Sequence, residues 1–391
     1  MPDYEKGIDI KMTIKEMEQL PYYYFLHRVN GIGNRTIRKL LKEFQTPKEI
    51  FQVSEERLEL FFTKKQMKNW REAKTHGQLM EPYEALKDKK INLYPKGMTG
   101  YPKRLLDIPD APEILYGIGQ LPKDEIPTIA MIGARNCSSY GSFVAKKFAS
   151  KLSLEGVQII SGMARGIDGI SQMAAIEGEG KSFAVLGSGV DVCYPVENRK
   201  IYEKLKAHGG ILSEYIPGTT PLASNFPPRN RIISGLADII LVIEAKEKSG
   251  TLITVDMALE QGKEVYVIPG RVTDSLSYGC NKLIKQGAGV VLSVADFLEE
   301  IRETYESIYR KQEGVFSRNR NEMQENFSFV HEDEKIIYDM MDFYPKSMDQ
   351  IAVEVGKIRE ISFGKLVEIL LELCMKNLIM QVSEGQFMRI K

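Results

Sequence analysis

Tryptophan occurs once and histidine only four times in 391 residues. The histidines, His27, His76, His208 and His331, are scattered, and the four cysteines, Cys137, Cys193, Cys280 and Cys374, show no Cys-x-x-Cys spacing. This leaves no ligand set for a zinc site. It suits a reduced, cytoplasmic compartment. No apolar run approaches the roughly 20 residues that a membrane helix needs, so no membrane association is expected. Met1-Pro2-Asp3-Tyr4 opens the chain without a signal-peptide pattern. Excess charge is also missing, because 53 Lys and Arg meet 53 Asp and Glu. That argues against a protein that coats nucleic acid through bulk charge, so any such binding must come from a local cationic site. Two phosphate motifs are absent. Without Gly-x-Gly-x-x-Gly a dinucleotide reading is weak, and without the Walker Lys-Ser/Thr an ATPase is disfavoured. No nucleophile and base stand together, and no cofactor is expected.

What the chain does have is a series of short β-branched runs. These are Ile129-Ala130-Met131-Ile132, Val157-Gln158-Ile159-Ile160, Phe183-Ala184-Val185-Leu186, Ile239-Ile240-Leu241-Val242-Ile243 and Val265-Tyr266-Val267-Ile268. Each ends in a loop rich in Gly, Ser or Pro or in a short turn, and helix-like segments follow several of them. Continuous apolar strands alternating with helices predict an α/β fold whose mainly parallel sheet is covered on both faces. Ligands of such sheets bind beyond the carboxyl ends of the strands.

The loops at those ends are built to face anions. Gly133 and Arg135 close the first run, ahead of a helix read from Ser142 to Leu152. Ser161, Gly162, Arg165 and Gly166 close the second, with glycines that permit close backbone approach. Asp168 reads as the cap of the helix that follows. Arg135 and Arg165 at successive strand ends read as one two-arginine clamp for phosphate. Arg229, Asn230 and Arg231 precede a helix-like Ile232 to Leu236. Their side chains suit phosphate and base edges, with an internal ion pair to Glu214 or Glu244 as the other reading for the arginines. Ser249, Gly250 and Thr251 open a helix running to Gln261, where backbone N–H groups face outward. Asn281 and Lys282 add donors and a cation. Tyr194 and Phe226 are stacking surfaces or packing aromatics.

The flanks are different. Residues 1–80 read as all-helical, with Met12–Leu26 and Asn34–Phe44 amphipathic and Gly31-Ile32-Gly33 between them. That turn is either a helix-hairpin-helix phosphate site or a tight structural turn. Proline interrupts residues 91–127, where Ile114-Leu115-Tyr116-Gly117 reads as an extra strand. Residues 309–329 are a polar linker. Residues 330–391 read as three helices and a hairpin around Glu384-Gly385, a winged-helix pattern. From His331 to Lys391, eight Lys or Arg stand against eleven Asp or Glu. A duplex-DNA reader should be basic, so this tail is expected to dock onto protein.

In order, the loops read Gly133-Ala134-Arg135, Ser161-Gly162-Met163-Ala164-Arg165-Gly166-Ile167-Asp168, Tyr194-Pro195, Ser213-Glu214, Phe226-Pro227-Pro228-Arg229-Asn230-Arg231, Ser249-Gly250-Thr251-Leu252, Pro269-Gly270 and Gly279-Cys280-Asn281-Lys282. This series resembles the DNA-processing protein A (Smf) family over the central half of the chain. Gln172 stands where a His is common in that family, and Arg165 where Lys also occurs. The resemblance implies a non-catalytic protein that binds and protects single-stranded DNA and helps load the RecA recombinase during natural transformation, in competence and recombination. It implies an extended Rossmann-like domain at 90–308 through which the chain forms a homodimer. It also implies a small helical, SAM or helix-hairpin-helix-like domain at 1–80 and a winged-helix-like domain at 330–391. The alternative from the residues is a nucleotide N-glycosidase on a related fold, using carboxylates such as Asp168, Glu214, Glu244 and Asp256. The Ser249-Gly250-Thr251-Leu252 loop lacks the Glu and double-Gly start which that chemistry would need.

Overall fold

In this computed structural model the residues described are 12–76, 79–304, 331–376, 378–383 and 385–390. The expected linker at 309–329 lies outside them. The chain divides into two compact units, Met1–Asn136 with Ala145–Arg310, and Cys137–Val144 with Lys311–Lys391. No helix of the described residues is long and apolar enough to cross a membrane.

The first unit opens with six helices, α1 (Ile14–Arg28), α2 (Asn34–Phe44), α3 (Pro47–Gln52), α4 (Glu55–Leu58), α5 (Lys64–His76) and α6 (Met80–Asp88). Thr13 starts α1 with a capping box to Glu16, so the helix begins two residues later than its apolar pattern suggests. The Gly31 turn is held from within. Gln66 donates to the Gly31 carbonyl (2.7 Å) and Asn69 to the Asn30 carbonyl (2.7 Å). These helices share a core with the sheet, where Leu20, Tyr24 and Leu26 join Ile114, Tyr116, Leu205 and Ile211. Polar contacts close the seam. Asn34 donates to Glu214 (3.0 Å), and Arg38 pairs with Glu113 (2.5 Å).

The sheet has nine strands: β1 (Asn92–Pro95), β2 (Ile114–Gly119), β3 (Thr128–Ile132), β4 (Gln158–Ser161), β5 (Ser182–Val185), β6 (Gly210–Ser213), β7 (Ile239–Val242), β8 (Glu264–Val267) and β9 (Gly289–Val290). Their order is β1-β2-β6-β5-β4-β3-β7-β8-β9. From β6 to β9 every neighbouring pair is parallel, whereas β2 runs antiparallel to both β1 and β6. The fold is therefore α/β with a mostly parallel sheet, as the apolar runs predict. The helices α7 (Ser139–Leu154), α8 (Ile167–Glu177), α9 (Arg199–His208), α10 (Phe226–Leu236), α11 (Gly250–Glu260), α12 (Tyr278–Lys285) and α13 (Val294–Thr304) follow the strands. The chain builds β4, β5 and β6 to one side of β3, then returns to build β7, β8 and β9 on the other. The crevice beyond the carboxyl ends of β3 and β7 is the point where the order reverses.

One side chain bolts α10 to that edge. Arg229 is 5% exposed and donates to the carbonyls of Gly162 (2.9 Å) and Val185, at the ends of β4 and β5. A Cβ on residue 162 would lie 2.7 Å from the guanidinium, which is why glycine is required there. Asp168 accepts from the Gly162 N–H (3.2 Å) and supplies the countercharge. Burial pushes Arg229 down to about 10 and Asp168 upward. Asp168 is thus no N-cap. Gly166 holds that position, and Asp168 is the second residue of the helix, its carboxylate turned back to the Gly162 N–H of the β4 loop.

The second unit contains α14 (Glu332–Met340), β10 (Lys346–Ser347), α15 (Met348–Gly356), α16 (Phe363–Met375), β11 (Ile379–Ser383) and β12 (Gln386–Arg389). Ser347 forms a capping box with Gln350, and Ser362 caps α16. The three strands pair in the order β10-β12-β11. Ile337, Ile351, Leu366, Leu370, Leu373 and Phe387 fill the core. Glu334, fully buried, accepts two bonds from Lys376 (2.9 and 2.7 Å).

His27 stacks on Tyr116 (5.7 Å between ring centroids, 11° between planes) with Nδ1 2.8 Å from the tyrosine hydroxyl. Burial pushes its imidazole from the ordinary 6.5 down to about 4. The unfolded chain therefore takes up this proton at a higher pH than the folded chain. The stabilisation is complete above about pH 6.5 and is lost as the pH falls from there through about 4. The full loss is ~3 kcal/mol. Urea midpoints measured near neutrality and in mild acid should fall for the wild type and fall less for His27→Gln; equal acid sensitivity in both would remove His27 as the source. A second expectation concerns Arg229→Ala, which leaves two buried carbonyls without their donor and Asp168 without its countercharge. It should cost ~3–5 kcal/mol in chemical denaturation, and a loss under 1 kcal/mol would show that water replaces the guanidinium.

Candidate nucleic-acid interface

Four loops converge at the crevice. The loop after β3 presents Arg135, whose side chain is solvent-exposed. Its guanidinium lies 5.8 Å from the centre of the Phe226 ring. Tyr194, 44% exposed, stacks on Phe226 as well (5.6 Å, 22°). Phe226 is the first residue of α10, so the Arg229 bolt also fixes this ring. A cation and an exposed aromatic face thus rest on one half-buried ring, an arrangement that suits a phosphate next to an unstacked base.

The loop after β4 approaches the loop after β3 closely. Gly166 has φ +71°, and a Cβ there would lie 2.2 Å from the Ala134 carbonyl oxygen and 2.5 Å from that of Arg135. Ile167 N–H donates to the Ala134 carbonyl (3.2 Å). Gly133 is tight for the same reason, since a Cβ there would meet the Glu244 carbonyl oxygen at 3.0 Å. Arg165 projects from this loop and pairs with Glu197 in the turn Val196–Asn198. Across the crevice, Ser249 occupies the N-cap position of α11 with extended backbone and makes no capping bond. Its hydroxyl is buried without a hydrogen-bond partner among the described residues. It lies beside the N–H groups of Gly250 and Thr251 at the positive end of the helix. Lys282, exposed on α12, adds a cation.

Other expected contacts are engaged inside the protein. Arg229 and Arg231 do not precede a helix; they lie inside α10, because Pro227 and Pro228 sit in its first turn where no N–H is needed. Arg231 is 9% exposed and grips Glu214 with two bonds (2.7 and 2.6 Å). Both guanidinium groups are engaged inside the fold, and Arg231 follows the internal ion-pair reading with Glu214. Asn230 accepts from Arg229 (3.2 Å). Ser161 is fully buried and donates to the Met131 carbonyl (2.7 Å), and Gly162 is buried against Arg229. Asn281 bridges both polar groups of Gly270 (3.3 and 3.0 Å). These four also serve the scaffold. Glu197 and Asn198 were not anticipated; their partners lie more than thirty residues away, and no local pattern marks them.

The carboxylates needed for a glycosidase are not presented together. Glu214 is bound to Arg231 and Asn34, Asp168 is buried beside Arg229, and Asp256 is exposed on α11.

Comparison with known proteins agrees with this geometry. A family model described as DNA recombination-mediator protein A matches residues 93–302, more than half of the chain. The DNA processing protein DprA of Streptococcus pneumoniae is 44% identical over 200 residues, 51% of this chain and 71% of that protein. Protein Smf of Escherichia coli is 42% identical over 212 residues, 54% of this chain and 57% of that protein. Among solved structures, DNA processing protein A of S. pneumoniae superposes with a TM-score of 0.61 at 34% identity, covering 72% of this chain and 97% of that one. DNA processing protein A of Helicobacter pylori, described for its single-stranded DNA binding mode, reaches a TM-score of 0.50 at 27% identity, covering 55% of this chain and 97% of that one. The chain belongs to the DNA recombination-mediator protein A family.

Proposed function

We propose that this chain binds single-stranded DNA across the carboxyl edge of its parallel sheet, protects it, and hands it to the RecA recombinase during transformation and recombination. The observation that carries the reading is the exposed Arg135 and Tyr194 resting together on Phe226. Arg135, Arg165, Lys282 and the N–H groups at Ser249, Gly250 and Thr251 are the phosphate contacts in this reading. Gly133 and Gly166 let the backbone approach. Tyr194 offers a ring to a base that a duplex keeps stacked. The glycosidase alternative is not favoured, because Glu214 and Asp168 are engaged with buried arginines and Asp256 stands apart on the surface of α11. A cytoplasmic site of action follows from the substrate.

We infer further that residues 90–308 form an extended Rossmann-like domain which pairs with a second copy. β9 closes the sheet as an edge strand, and Val290 and Leu292 (38% and 79% exposed) give it an apolar border. The front helices correspond to the small SAM or helix-hairpin-helix-like domain. Asn34 and Arg38, just past the Gly31 turn, face the protein, which favours the structural reading of that turn. The tail at 330–391 corresponds to a winged helix. Its α16 shows Glu368, Leu371 and Met375 to solvent, and its Lys365 is paired with Glu368 (3.0 Å), a face poorer in available cations than a duplex reader needs.

Arg135→Ala and Arg165→Ala should each weaken oligo-dT binding by roughly tenfold or more and make the salt dependence shallower by about 0.7 per contact. RecA assembly aided by the protein should suffer in the same variants. Gel shifts at moderate salt that leave both variants unchanged would end the clamp reading. A chain truncated after Arg310 should keep its single-strand affinity within about twofold and still sediment as a dimer. Loss of DNA binding in that folded truncation would overturn the charge argument for the tail, and a monomer would move the dimer surface out of the central domain.

A further inference from the structure

We infer that Glu197 is a built-in competitor for phosphate at Arg165, and that it sets how strongly a strand must be anchored elsewhere before it is held. The inference rests on the single-strand reading above. Arg165 and Glu197 form an ion pair in which both side chains are 60% exposed. A pair this open contributes little to stability, so the fold gives no reason of its own to keep it. Yet its geometry is enforced. Asn198, next in the same turn, donates to the carbonyls of Met163 and Ala164 (3.0 Å each), in the loop that carries Arg165. At the other end, Pro195 is buried and Tyr194 lies on Phe226. The five residues Tyr194–Asn198 therefore bring two things to the crevice at fixed positions, an aromatic face for a base and a carboxylate against the cation.

A phosphate arriving at Arg165 has to displace that carboxylate and then sits close to it. For a ligand with one phosphate, the exchange of one anion for another brings little net gain. A strand already held at Arg135 and at the Ser249-Gly250-Thr251 end delivers its next phosphate at high effective concentration and prevails. Glu197 thus discriminates polymeric single strands from free nucleotides by requiring several contacts at once. Arg231 shows the contrast. Its carboxylate partner is buried with it, and no ligand can reach that pair.

The test uses the full chain and fluorescein-labelled oligo-dT in anisotropy titrations over a range of salt, with thymidine monophosphate as competitor. Glu197→Gln should bind the oligonucleotide roughly three- to fivefold tighter at low salt. Its salt dependence should steepen by up to about 0.7, because Arg165 then reaches the strand with its full charge. Thymidine monophosphate should compete better against this variant than against the wild type. In an Arg165→Ala background the gain should vanish. If Glu197→Gln binds no tighter while Arg135→Ala still weakens binding, the competitor role is wrong and the single-strand reading stands. A gain that persists without Arg165 would reduce Glu197 to general repulsion and also overturn the proposal. A wild-type chain that binds no oligo-dT at all would remove both readings together.

Discussion

The site depends on one buried guanidinium. Arg229 ties the ends of β4 and β5 to α10 by donating to two carbonyls, with Asp168 as its countercharge. An arginine so enclosed is tolerated only when its donors are satisfied and its charge is matched. Those requirements fix much of the local sequence. Residue 162 must be glycine to let the guanidinium pass, the carboxylate must stand at 168, and the helix must begin at Phe226 for Arg229 to reach. The ring of Phe226 is placed by the same contacts, and Arg135 and Tyr194 both rest on that ring. A scaffold interaction thus sets the positions of groups that never touch it.

Arginine does two jobs here, and burial separates them. Arg229 and Arg231 lie inside α10 with internal acceptors, whereas Arg135 and Arg165 stand at loop tips in solvent. This reconciles the proposed binding of a polyanion with a net formal charge of zero. The cations that matter are a few at one edge of the sheet, supplemented by backbone N–H groups whose partial charge never enters a count of residues.

The sequence displays the central strands plainly, because β3, β4, β5 and β7 are buried on both faces and a continuous apolar run is what that environment selects, while β8 buries Val265 and Val267 on one face. The short strands are harder to read. β6 contains only Gly210-Ile211-Leu212-Ser213, β9 only two residues, and β1 ends in proline. Neither length nor alternation marks them, and neighbouring strands recruit them. α10 begins earlier than its apolar period suggests, since Pro227 and Pro228 look like loop residues yet are compatible with a first turn. The loop motifs disclose where the site is but not which member of each motif faces outward. Arg229 and Arg231 are neighbours but for one residue, and their acceptors lie at Gly162, Val185 and Glu214. Only the folded sheet brings those acceptors to them.

The rigidity of the edge bears on what it can hold. The loops carrying Arg135 and Arg165 are in backbone contact, with Gly166 pressed against the carbonyls of Ala134 and Arg135. Neither loop can move to meet a ligand without breaking that contact and the Ile167 to Ala134 hydrogen bond. The ligand must then supply the adaptation. A duplex has its phosphates at set spacings and its bases stacked inward, so it can match a fixed set of cations only by chance and has nothing to offer Tyr194. A single strand rotates freely about its backbone bonds and can turn a base outward onto the ring while its phosphates find the cations. In the proposed reading, selectivity for single strands would follow from a stiff protein edge meeting a flexible polymer, without any contact that reads sequence.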